Sequence, residues 1–210
     1  MPRPRRSEST REALITAGIN QLSIYGYHGT GIKQILDEVK VPKGSFYNFF
    51  ASKEAFVAEL IKHYSDDLLA RLADYFQHQA KALTPLDKLK AINHLSLQKF
   101  ADSEFQTSCL IATISADIDA DNRLCQQALN QAVDDCLAVI TSLFAQGQQS
   151  LEIRRDIPAS QLAQLYWSAW QGALLRTKVI KDKQEAQLCM DVLLDTLCGN
   201  ALKTKPDLQV

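Results

Sequence analysis

The chain has 210 residues, 46% of them hydrophobic and 22% charged, with a formal net charge of −1. That is globular composition, which excludes disorder for the bulk of the chain, and a chain this long buries roughly 70% of its unfolded surface without a disulfide or metal staple. Only 8 glycines and 6 prolines are present, too few for the tight turns of a many-stranded fold, so helices are expected throughout.

The first residues, Met1-Pro-Arg-Pro-Arg-Arg-Ser, are basic but lack the apolar stretch of a secretory leader. Ser9-x-x-Glu12 is a capping box ahead of Leu14, Ile15, Ile19 and Leu22 at helical spacing. Gly26 is expected to stop that helix. Thr30 is placed to cap a second, whose buried face is Ile32, Ile35, Leu36 and Val39. Pro42 opens a third, short helix to about Phe49. Ser52 caps a fourth that keeps one apolar face through Val57, Ile61, Tyr64, Leu68, Leu72 and Tyr75. Thr84-Pro85-x-Asp87 supplies N-cap, proline at the first helical position and an acidic third residue, a clear start for a helix reaching about Ala101. A polar loop at 103–108 leads to a short helix from Cys109 to Ile118. Asp119-Ala120-Asp121-Asn122 opens a long helix to near Gly147. Ile157-Pro158 begins another through Ile180, and a last one spans Lys183 to about Leu202. The reading is all-α, about nine helices: an N-terminal domain of three helices over 1–51 and a larger helical domain over 52–210.

Charge is uneven. Residues 1–50 carry seven basic and four acidic groups, net +3, and the remainder is net −4. A basic segment on an acidic body suits an anion-binding module. Three short helices joined by tight turns are the layout of a helix-turn-helix. The run Gly26-Tyr27-His28-Gly29-Thr30-Gly31-Ile32-Lys33-Gln34-Ile35-Leu36, followed by Val41-Pro42-Lys43-Gly44-Ser45-Phe46-Tyr47-Asn48-Phe49-Phe50-x-Ser52-Lys53-Glu54, closely resembles the DNA-binding signature of TetR-family transcriptional repressors. The resemblance covers about residues 9–56 and implies a helix-turn-helix DNA-binding domain over 1–51 and a helical regulatory and dimerisation domain over 52–210. It implies phosphate contacts from Thr30, Lys43, Tyr47 and Lys53, and base-edge contacts from Lys33, Gln34, Ser45 and Asn48. Gly44 lets the backbone approach phosphate. Phe49 departs from the family's Tyr or His and cannot bond a phosphate. Phe46 and Phe50 are assigned to the core. Arg3, Arg5 and Arg6 are placed either as an arm along DNA or as a solvated tail.

On the helix from Ile157 to Ile180, Trp167, Gln171, Leu174 and Lys178 share one side at about 100° per residue. Leu165, Ala169, Gly172, Ala173 and Arg176 share the other. The small-residue face, with Leu188, Val192, Asp195 and Leu197 of the last helix, is assigned to a two-fold dimer interface or to ordinary packing within the chain; TetR proteins pair through their last two long helices. Trp167, Gln171, Leu174 and Lys178 would line an effector site. Cys109 follows a polar loop and opens a helix, where dipole and free amides favour a thiolate. Ser108-Cys109-Leu110-Ile111-x-x-x-Ser115-Ala116 and Trp170-x-Gly172-Ala173-x-x-Arg176-x-Lys178 resemble the branch of that family that holds the repressor of N-ethylmaleimide reductase and the acrylate-responsive repressors. In that branch the matching cysteine senses electrophiles or oxidants and the matching lysine is its partner.

The function implied is a dimeric repressor of a palindromic double-stranded DNA operator, released by a reactive electrophile or oxidant acting at Cys109. The alternative keeps the repressor and makes the effector a reversible small apolar ligand, with Cys109 structural. Cys125, Cys136, Cys189 and Cys198 are read as small buried hydrophobes. No C-x-x-C pair is present, and His28, His63, His78 and His94 show no metal-ligand spacing. With no phosphate loop or nucleophile elbow either, no cofactor, metal or enzymatic activity is expected. The charge-free run Ile157 to Leu175 is interrupted by Gln161, Gln164 and Gln171, so it reads as a buried helix and not a membrane span. A cytoplasmic location is expected.

Overall fold

A computed structural model describes residues 6–197. The described residues form nine α-helices and no β-strand: α1 (Arg6–Gly29), α2 (Ile32–Val39), α3 (Lys43–Phe46), α4 (Lys53–His78), α5 (Pro85–Asp102), α6 (Leu110–Ser115), α7 (Arg123–Gln149), α8 (Ala159–Ile180) and α9 (Lys183–Thr196). The all-α expectation holds. The arm residues Arg3 and Arg5, the side chain of Arg6, Cys198 and the far end of the last expected helix lie outside the described residues.

Two of the local start signals act as the sequence predicts. The Thr84 side chain accepts from the Asp87 amide at 3.2 Å, with Pro85 in the first turn of α5, and Ser52 Oγ accepts from the Ala55 amide at 3.0 Å. Others are displaced. α1 is already helical at Arg6, so the Ser9-x-x-Glu12 box lies inside it, and Glu8 occupies its first turn instead, where a carboxylate suits the helix dipole. Gly26 does break the helical run as expected, with φ 72° and ψ −173°, a conformation L-residues rarely adopt, and a second short helical stretch continues from the kink to Gly29. Thr30 does not cap α2: Gly31 is the N-cap, and its amide is satisfied by Gln34 Oε1 at 2.7 Å. α3 is a single turn because Pro42 stands outside it as N-cap and the chain turns from Tyr47 onward. The short expected helix after residue 108 is also trimmed, to six residues with Cys109 as its N-cap.

The chain packs as two compact units, and they do not follow the sequence boundary at 51/52. The first takes the described residues up to Arg71 together with Gln106–Asp134; the second takes Leu72–Phe105 and the described residues from Asp135 onward. In the first, α3 is pinned to α4 by aromatic rings. Phe46 meets Phe56 edge-on at 5.2 Å and Phe50 meets Phe56 at 4.6 Å; all three are buried, as expected for Phe46 and Phe50. α2 lays Ile35 and Leu36 inward, and α6 packs along α1 through buried Leu110, Ile111 and Ile114. In the second, α9 packs against α5 and α8. Tyr166 of α8 donates to Asn93 Oδ1 of α5 at 2.6 Å inside it, and Phe144 meets the Tyr166 ring at 6.0 Å.

Gly18 allows the close approach of α1 to α4. A Cβ there would stand 2.6 Å from both Leu60 Cδ1 and Phe56 Cζ, and both side chains are fully buried. Overpacking of this kind costs about 1–3 kcal/mol, so Gly18→Ala is expected to lower stability by that amount in urea unfolding followed by circular dichroism.

Candidate nucleic-acid interface and sensor segment

The turn between α2 and α3 presents the residues the sequence singled out. Lys43, Gly44, Tyr47 and Asn48 are exposed on α3 and the turn after it, and Ser45 is half-buried. The Tyr47 ring rests edge-on against Phe46 at 5.4 Å and is 53% exposed, which leaves its hydroxyl toward solvent. A Cβ on Gly44 would meet nothing within 4 Å. Lys33 and Gln34 are exposed at the start of α2, but the Gln34 carbonyl is engaged as the α2 cap, so only its NH₂ is left to read a base. Phe49 is half-buried and packs against Phe50 at 6.3 Å. Thr30 is 1% exposed and its hydroxyl has no hydrogen-bond partner among the described residues, so it presents no surface for a phosphate in this conformation.

Lys53, the other expected phosphate contact, is committed inside the chain. Its ammonium donates to the Tyr27 carbonyl at 2.6 Å and lies 4.4 Å from the centre of the Tyr27 ring, a cation–π geometry. Burial pulls this ammonium below the ordinary lysine range, and the Asp117 carboxylate works against that pull. With three donors, Lys53 keeps hydrogen-bonding capacity beyond the Tyr27 carbonyl.

Cys109 is the N-cap of α6, and its carbonyl accepts from the Thr113 amide and hydroxyl, each at 3.0 Å. The amides of Ile111 and Ala112 and the Tyr64 hydroxyl face its thiol and favour the thiolate, as helix position suggested. Burial outweighs them and pushes the thiol above its ordinary range. The expected activation by the helix end is therefore present but loses to desolvation, and Cys109 rests as a protonated thiol at neutral pH. Tyr64, read from sequence only as part of an apolar stripe, is its hydrogen-bond partner, and burial raises this phenol as well. Among the other thiols, Cys125 and Cys136 are buried as expected but Cys189 is exposed on α9. The Cys125 thiol is pushed up to about 11 by burial and by Glu54.

In the second unit, the buried face of α8 is Leu162, Ala163, Tyr166, Trp170, Ala173, Leu174 and Thr177. Ala173 was assigned to the dimer face; it is 8% exposed and packs within the chain. Trp167 and Gln171 are half-buried and Lys178 is exposed, while Gln171 Nε2 is buried with no hydrogen-bond partner among the described residues. The opposite side of α8 shows Leu165, Leu175 and Val179 at 49%, 55% and 82% exposure, and α9 shows Leu188 and Val192 at 65% and 53%. Gly172 stands on that exposed side with open space around it, and Ala169 is half-buried. Asp195 is exposed but pairs with Lys90 of α5 at 2.5 Å. The pairing of Lys178 with Cys109 stays what the resemblance implies.

Two family profiles match the chain. One, described as bacterial regulatory proteins of the tetR family, covers residues 14–60; the other, described as the tetracyclin repressor-like C-terminal domain, covers 85–193, more than half of the chain. The transcriptional regulator AcuR of Cereibacter sphaeroides is 32% identical over 168 residues, 80% of this chain and 76% of that protein. The chain belongs to the TetR family. The HTH-type transcriptional repressor NemR of Escherichia coli is 28% identical over 176 residues, 81% of this chain and 84% of its own. The solved structure of reduced E. coli NemR superposes with a TM-score of 0.79 at 25% identity, covering 92% of this chain and all of the other. A regulatory protein TetR from Rhodobacter sphaeroides gives 0.80 at 27% identity, covering 90% and 98%.

As a TetR-family regulator the chain carries its DNA-binding helix-turn-helix in the first unit. Among the described residues, no helix is long and apolar enough to cross a membrane, and no group of three or more His, Cys, Asp or Glu is placed to hold a metal. The open space at Gly44 separates a folding role from a binding one. Gly44→Ala is expected to melt at or slightly above the wild-type temperature, since alanine favours a helix over glycine by about 1 kcal/mol. Operator affinity in a fluorescence-anisotropy titration should nonetheless fall about tenfold or more; unchanged affinity would take Gly44 out of the interface.

Proposed function

We propose that the protein is a dimeric transcriptional repressor that leaves a palindromic operator when a reactive electrophile or oxidant modifies Cys109. The observation that carries this reading is the position of that thiol. Cys109 is the N-cap of α6, and α6 is the helix packed along α1 of the reading head. Support comes from E. coli NemR, a repressor by name whose solved structure is described as a reduced form. With an activated alkene such as N-ethylmaleimide, the thiol loses its proton to solvent and the sulfur attacks the alkene. The carbon–carbon π bond gives way to a new sulfur–carbon bond, and the neighbouring carbon takes a proton from water. Cys109 is half-buried at the N-terminus of α6, and in this reading the added group displaces the first turn of that helix. In this reading the protein works in the cytoplasm and turns over no substrate.

Wild type is expected to release operator DNA on treatment with N-ethylmaleimide and Cys109→Ser to hold it, with one added maleimide on Cys109 in the mass spectrum. Because burial raises the thiol, the modification rate should keep climbing with pH beyond the range where an ordinary cysteine levels off. Release of the serine variant as readily as wild type would remove the thiol from the mechanism.

A reversible effector is the competing reading, and one observation favours it: Gln171 offers a buried, unpartnered amide N–H beside half-buried Trp167, the kind of donor that an acceptor on a small apolar ligand satisfies. Unmodified mass in the inducer-treated, DNA-free protein would select it.

The dimer is assigned to the exposed apolar stripe of α8 and α9. Helix-turn-helix heads reach half-sites about one turn of DNA apart only when paired, and an isologous interface needs an apolar patch of this sort. Leu188→Glu with Val192→Glu is expected to sediment as a monomer. Its operator affinity should drop at least about a hundredfold, because the second head no longer binds as an intramolecular event.

A further inference from the structure

The connection between α6 and α7 holds the last residues of α1 one after another. Asp117, just past α6, accepts from the His28 amide at 2.8 Å, and the same carboxylate oxygen stands 2.7 Å from where a Cβ on Gly26 would be. The left-handed kink at Gly26 thus leaves room for this carboxylate. Asp119 meets the His28 ring at 3.3 Å, and Asn122 donates to the Tyr27 hydroxyl at 3.2 Å. On its other side Tyr27 holds Lys53 through carbonyl and ring. Next to Lys53, the Glu54 carboxylate accepts from the Leu124 amide at 2.8 Å and its carbonyl from the Cys125 thiol at 3.6 Å. α2 begins at Ile32, four residues after His28.

We propose that Asp117 is a positioning residue that transmits the state of α6 to the reading head. α6 is only six residues long, so a shift of its N-terminal turn reaches Asp117 with little length of helix to absorb it. Asp117 grips the backbone at the kink where α1 turns toward α2, and through Tyr27 it bears on the lysine expected at the DNA phosphate. For its input the inference rests on the Cys109 reading; the grip itself does not. Coupling must run both ways, so operator binding has to alter the behaviour of α6 as much as α6 alters operator binding.

The test compares wild type with Asp117→Ala, which removes the acceptor, and Asp117→Asn, whose carbonyl can still accept from His28. N-ethylmaleimide should weaken operator binding by wild type about tenfold or more, and Asp117→Ala, carrying the same adduct, by less than about twofold. Asp117→Asn should follow wild type. Hydrogen exchange of the Leu110–Ser115 amides, read by mass spectrometry with and without operator duplex and without any maleimide, should slow on DNA binding in wild type and Asp117→Asn but not in Asp117→Ala. The proposal is overturned if Asp117→Ala releases DNA as wild type does, or if α6 exchange ignores the operator in wild type or responds equally in Asp117→Ala. Exchange coupling without maleimide release would keep the grip and discard the thiol reading; maleimide release without exchange coupling would do the reverse. Should Asp117→Ala not fold, the exchange of the wild-type α6 amides decides alone: slowing on operator supports the coupling, and no change overturns it.

Discussion

Everything distinctive in the first unit hangs on the packing of a six-residue helix along a long one. α6 alone is far too short to be stable, since a helical turn must first bear the cost of nucleation. It exists because Leu110, Ile111 and Ile114 are fully buried and because its C-terminal end is tied to α1 through Asp117. Such a helix depends on its buried face and on that tie together. The same packing places a cysteine-capped helix in one compact unit with the helix-turn-helix. In the proposed mechanism that adjacency stands in for a long chain of intermediates.

At Cys109 two effects of opposite sign meet. Helix amides and a phenol favour the anion; burial disfavours it, and burial wins. A protonated, half-buried thiol is slow to react with mild oxidants and alkylating agents, because the thiolate is the nucleophile. In the proposed mechanism this sets a threshold: only reactive electrophiles capture the small thiolate fraction. The Tyr64 hydroxyl contributes to the same balance, as its hydrogen bond supports the sulfur while its own burial opposes any second negative charge nearby.

α8 shows how one helix serves two surfaces. Tyr166, Trp170, Ala173 and Leu174 face inward, and Tyr166 is fixed there by its bond to Asn93. Leu165, Leu175 and Val179 face outward with Leu188 and Val192 of α9. Exposed aliphatic side chains in a contiguous stripe mark an interaction surface more often than scattered ones do, and Gly172 sits among them with nothing of its own chain above it. Asp195, paired with Lys90, borders the α9 part of this face.

Much of this was legible in the residues alone. The all-α class, the start of α5 at Thr84-Pro85, the Ser52 cap of α4, the helix-turn-helix segment and the core placement of Phe46 and Phe50 depend on neighbours a few positions away, where propensity, capping and periodicity act. The Asp117 carboxylate at the Gly26 kink, the loss of Thr30 to the interior, the inward face of Ala173 and the raised thiol of Cys109 were not legible. Each depends on which distant segment covers which atom. His28 and Asp117 are 89 positions apart, and no local pattern announces that a carboxylate will occupy the space a glycine leaves. Short-range order in the chain specified its helices and the segment that reads DNA. Desolvation and side-chain contact, which exist only once helices pack, decided how a half-buried thiol and a kinked helix came to share one unit.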